Sequence, residues 1–121
     1  MSAPTRATKS LTVEIAAGEA ESGVINLTQY ASGLVILPAA WTAADLGIKV
    51  CGSDGGTFVP RKDMSNAYGT DVSIDGPVAS AAYPIPVWAF PAQYVKLWSH
   101  NGEGTDTDQE AKRTLTVFLK A

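Results

Sequence analysis

Apolar positions along this chain alternate in short runs and do not follow helical spacing. Leu11, Val13 and Ile15 share one side of a segment whose other side carries Thr12 and Glu14, the period of a half-buried strand. Ala16 to Glu19 turns the chain, and Val24 to Leu27 is a second short strand. Gly33 to Leu37 is apolar on both sides, which predicts a buried central strand; Pro38 ends it, because proline cannot donate to a ladder. Trp41 to Gly47 holds the one helical signal. Thr42 can cap, Asp45 follows three residues later and Gly47 stops the turn, so a single turn is expected near 42–46. Ile48 to Cys51 resumes as a strand, Gly52-Ser53-Asp54-Gly55-Gly56 turns, and Thr57 to Pro60 returns, which predicts a hairpin.

Beyond a polar loop from Arg61 to Gly69, Val72 and Ile74 alternate with Asp71, Ser73 and Asp75 until Gly76-Pro77 breaks the run. Pro84 to Pro91 is proline-flanked, which restricts it to an edge strand or an extended strap. Tyr94 to Ser99 and Arg113 to Leu119 are the last two strands, separated by a long polar loop. The expected fold is all-β: an antiparallel β-sandwich, jelly-roll-like, of eight or nine short strands with one helical turn. Residues 1–9, small, polar and slightly basic, read as a flexible arm, and 10–121 as a single sandwich domain.

Composition narrows the function. A chain of 121 residues with 45% apolar and 17% charged residues suits one globular domain with wide neutral surfaces. A net charge of −3 and the lack of any Lys/Arg run argue against nucleic acid and against an anionic membrane as partners. The N-terminal stretch has no apolar run of the secretory type, so synthesis in the cytoplasm is expected. The single cysteine, Cys51, lies in an apolar stretch and reads as a buried, inert thiol.

The search for chemistry is mostly negative. Gly52 to Gly56 lacks the Gly-Lys-Ser/Thr of a phosphate cradle. His100, the only histidine, sits beside an Asn-Gly turn signal, far from Cys51 in sequence. Glu103, Asp106, Asp108 and Glu110 crowd one loop, a solvated acidic stretch or a source of calcium ligands, but their spacing fits no helix-loop-helix calcium site. Neither catalytic residues nor a cofactor are expected. Trp98 is assigned to the core and Trp41 to one end of the sandwich. Tyr83, Trp88 and Phe90, in the proline-rich segment, either cover a sheet edge, meet a protein partner or form a sugar-stacking platform. A partner interface is expected at Tyr83, Trp88 and Phe90, with Thr5, Arg6 and Lys9 of the arm.

The run from Pro38 to Pro60, together with Tyr94-Val-Lys-Leu-Trp-Ser99 and Arg113-Thr-Leu-Thr-Val-Phe-Leu119, resembles small virion proteins of tailed bacteriophages. The members it resembles are capsid decoration (cement) proteins and accessory head or tail proteins. The resemblance implies a β-rich fold, no cofactor and a protein partner. The function expected from it is non-enzymatic: binding to the major capsid protein at the capsid surface of the virion, as a homo-oligomer, trimers being favoured. The alternative is a carbohydrate-binding or host-recognition module on a tail part.

Overall fold

The computed structural model describes residues 8–53, 55–60, 62–63, 70–71, 73–85, 87–103 and 105–121. Eleven strands lie among the described residues: β1 Thr8–Ile15, β2 Ile25–Asn26, β3 Ser32–Ile36, β4 Asp45–Cys51, β5 Val59–Pro60, β6 Lys62–Asp63, β7 Thr70–Asp71, β8 Ser73–Ile74, β9 Ala82–Ile85, β10 Tyr94–His100 and β11 Arg113–Lys120. One sheet has the order β1-β11-β3-β9; the other has the order β2-β10-β4-β5, with β8 also on β4. A small β6–β7 pair stands apart.

Nested antiparallel pairings organise the chain: β1 with β11, β2 with β10, β3 with β9, and β4 with β8. The chain is in effect one long hairpin, rolled so that β11 also meets β3 and β10 also meets β4. That is the jelly roll expected from the spacing of the turns. Alternation sets which side faces the core. Val13, Ile15, Val35, Leu115, Val117 and Leu119 of the first sheet meet Ile25, Leu46, Ile48, Val95 and Leu97 of the second, all buried. Burial of each such side chain contributes about 1.5–3 kcal/mol.

The β4–β5 hairpin forms as expected, with Val50 opposite Val59. The proline-flanked segment 84–91 is an edge strand only at its start: Pro84 and Ile85 close β9, which among the described residues pairs with β3 alone. Pro84 sits in β9, and the chain then leaves the sheet through a 3-10 helix, Val87–Ala92, with Pro91 inside it.

Four expectations need correction. First, no helical turn forms at 42–46. Asp45 already starts β4, pairing with His100, and Thr42 is bound to Gln109 and Arg113 rather than acting as a cap. Second, the strand over 33–37 is buried on one side only; a two-layer sandwich has nothing to place over its other side, and Leu34 is exposed. Third, Thr8 and Lys9 belong to β1, paired with Lys120 and Leu119, so the sheet starts inside the expected arm. Thr5 and Arg6 lie outside the described residues. Fourth, Cys51 is half-buried, on the outward side of β4 within 3.9 Å of Ser53 Oγ.

Candidate interaction face

The two outer faces of the sandwich are treated in opposite ways. On the second sheet, the outward positions of β10 carry Trp98 and His100, yet both are buried. The chain covers them itself. Glu21 bridges to Trp98, and Lys49 Nζ lies 4.7 Å above the indole. The loop after β10 folds back: Trp98 Nε1 donates to Asp106 Oδ1 at 2.7 Å, and Gly102 N–H donates to His100 Nδ1 at 3.0 Å. The two rings stack at 4.4 Å. Gly47, opposite Trp98, makes the stack fit; a Cβ there would sit 2.8 Å from His100 Nε2 and 3.1 Å from Trp98. Lys96 reaches both Glu21 and the Phe58 ring, which extends the cover. Trp98 is therefore buried as expected, but under its own loop and outside the inter-sheet core.

The first sheet has no such cover among the described residues. Its outward positions line up in cross-strand rows fixed by the register. Ser10, Phe118, Leu34 and Pro84 form one row. Thr12, Thr116, Ile36 and Ala82 form the next. Phe118 is 42% exposed and Leu34 44%, and they are direct neighbours across β11 and β3. Val59 and Val78 are also exposed, but neither belongs to this sheet. A hollow of about 550 Å³ opens at the end of the face, lined by Thr8, Lys9, Leu34, Phe118 and Lys120 among others. Charge is confined to the two ends of the outward rows, with Glu14 at one and Lys120 at the other. An ordered apolar patch between strands, ringed by Ser and Thr, is the kind of surface that marks a contact site.

The residues singled out from sequence do not converge. Lys9 is exposed on edge strand β1, and Tyr83 lies on the opposite edge, in β9. Tyr83 is half-buried against the core, its hydroxyl accepting the Val78 N–H at 2.9 Å. Phe90 is a correction: it sits in the core at 9% exposure, because the 3-10 helix turns it beneath the sheets. Phe90→Leu is therefore expected to lower monomer stability by about 1 kcal/mol and to leave association unchanged; thermal melts beside sedimentation of the same variant check this. Trp88 belongs to the 3-10 helix by its backbone, and its side chain lies outside the described residues. With Trp98 and Phe90 buried, Trp41 half-buried and Tyr83 tied by its hydroxyl, the described aromatics make no flat exposed row of the sort that stacks on sugar.

Sequence reasoning missed Leu34, Ile36 and Phe118. Their signal was present: β3 is apolar at both parities, and Phe118 interrupts the polar phase of β11. All four carboxylates of the acidic loop are exposed, Asp106 accepts from the Trp98 indole, and no three metal-ligating side chains cluster among the described residues. Nor is any helix among them long and apolar enough to cross a membrane.

A jelly-roll sandwich with one closed and one open outer face is the class of molecule that these observations define. No family model and no curated protein matches the sequence. Among solved structures, the chain is similar to the SPBc2 prophage-derived protein YomS, with a TM-score of 0.62 at 10% identity, over 100% of this chain and 99% of that one. At that identity the likeness concerns the fold.

Proposed function

We propose that this chain is a non-enzymatic structural protein of a phage particle, specifically a capsid decoration protein. It binds the major capsid protein on the outer shell and stabilises contacts between capsid subunits. The open apolar face of the β1-β11-β3-β9 sheet is the observation that carries this reading. Leu34 and Phe118 stand exposed on rigid, doubly paired strands, which spares the ordering cost that loop residues meet on binding. The phage setting is supported by the fold shared end to end with a prophage-derived protein.

The test uses DNA-filled, tailless heads of the encoding phage that lack this protein. The wild-type chain is expected to co-sediment with them to saturation, and Leu34→Asp to bind at least about tenfold more weakly, since a buried, unpaired carboxylate at an interface is strongly penalised. Wild-type protein left in the supernatant would show the reading to be wrong.

A further inference from the structure

We infer that the outer face of the β1-β11-β3-β9 sheet packs on a second copy of this chain, as a two-fold dimer whose strands run antiparallel to the partner's. The inference concerns the free protein: a second copy covers this face in solution and gives way where the face meets the shell, so it goes beyond the proposed function and rests on the reading of that face as the working surface.

The register supplies the argument. The row Leu11–Val117–Val35–Tyr83 points inward and divides the outer face into two halves. On one side lies the row Ser10, Phe118, Leu34, Pro84; on the other, Thr12, Thr116, Ile36, Ala82. A two-fold axis laid across the strands at this divide brings each row over the other row of the second copy. Phe118 then covers Thr116, Leu34 covers Ile36, and Pro84 covers Ala82. Bulky side chains face smaller ones at two of these three positions, the interdigitation that stacked sheets about 10 Å apart require.

Charge selects this axis over its rival. Lys120 and Glu14 lie the same distance from the divide, on opposite sides of it. The axis across the strands therefore sets Glu14 of one copy over Thr8 of the other, one strand away from Lys120. An axis running along the strands would instead place Lys120 beside Lys120 of the second copy. Glu14 also touches Lys112 at 3.6 Å, but the two side chains are 55% and 62% exposed, and such a pair holds its carboxylate only weakly. Two faces of roughly 20 by 20 Å bury about 800 Å² in total, the size of a weak, transient contact, so a dissociation constant in the micromolar range is expected.

Sedimentation velocity of the full chain from roughly 10 to 200 μM, bracketing that range, tests the inference. A reversible monomer–dimer equilibrium is expected. Phe118→Asp should be monomeric throughout. Glu14→Lys and Lys120→Glu should each weaken the dimer about tenfold, and their combination should restore it to within about threefold, as swapping both partners of a charge pair does. All these positions are exposed, and near-ultraviolet circular dichroism shows that each variant is folded. A wild-type monomer at every concentration, a trimer, or a double swap with no recovery overturns the dimer. If wild type is monomeric yet Phe118→Asp loses binding to tailless heads, the dimer fails while the proposed function stands. If Phe118→Asp binds heads like wild type and wild type does not dimerise, both fail.

Discussion

Replacing Trp98 with alanine is expected to lower the unfolding free energy by about 4 kcal/mol, within the range for emptying a buried aromatic site. For a chain of this size the melting temperature should fall by roughly 15 °C. The effect is large because Trp98 organises a whole layer. Its indole N–H holds Asp106, its face carries Lys49 and its ring supports His100. Without it, Asp106 loses its anchor and the segment 101–107 loses the floor on which it folds. Hydrogen exchange provides the specific readout. Amides tied to that loop, such as Gly102 and Thr107, should lose protection well before the β1–β11 ladder does. Equal loss of protection in both places would show that Trp98 supports the domain as a whole and not the cover of one face.

Gln109→Ala is expected to destabilise by about 3 kcal/mol, although the residue lies in a polar loop. Its amide is fully buried and has four partners. Oε1 accepts from Thr42 N–H at 2.9 Å and Arg113 Nε at 3.2 Å. Nε2 donates to Ser99 Oγ at 2.8 Å and Thr42 C=O at 3.2 Å. Truncation leaves a buried hydroxyl and a peptide group short of partners, and each carries a desolvation penalty of about 1–3 kcal/mol. Gln109→Glu keeps the acceptor, loses the two donors and should fall between wild type and alanine. Chemical denaturation of the three proteins, with the midpoint read at constant slope, gives the order. An alanine variant as stable as wild type would mean that water replaces the amide without loss.

Both residues show where sequence reading stops. The strands were legible because alternation is a local property. Val13, Val35, Leu97, Leu115 and Val117 announce their facing through their immediate neighbours. The partners of Gln109 are not local, since Thr42 lies 67 positions away and meets it only once the sandwich has closed. The same closure removed the expected helix near 42–46, where a fitting cap residue was outweighed by pairing of Asp45 to Cys51 with β10. Phe90 was misjudged because a proline-rich segment suggests an extended strap, whereas the 3-10 helix returns it to the core. The open face was half-legible. A strand apolar at both parities implies cover on both sides, and whether the chain supplies that cover depends on loops whose paths alternation does not encode.

The nested pairing also sets an order for folding. Closing Val50 on Val59 spans few residues, whereas Thr8 and Lys120 stand at opposite ends of the described chain. Each outer pair closes cheaply only after the pair inside it has shortened the intervening loop. The chain is therefore expected to zip from its middle outward, on the millisecond-to-second scale of folds dominated by distant contacts, with the β1–β11 ladder closing last. Until it does, β3 lacks its β11 neighbour, so the open face exists only on a chain whose folding is complete. Partners that need the row of Phe118 and Leu34 are thereby denied the unfinished molecule, and assembly waits on folding without any separate switch.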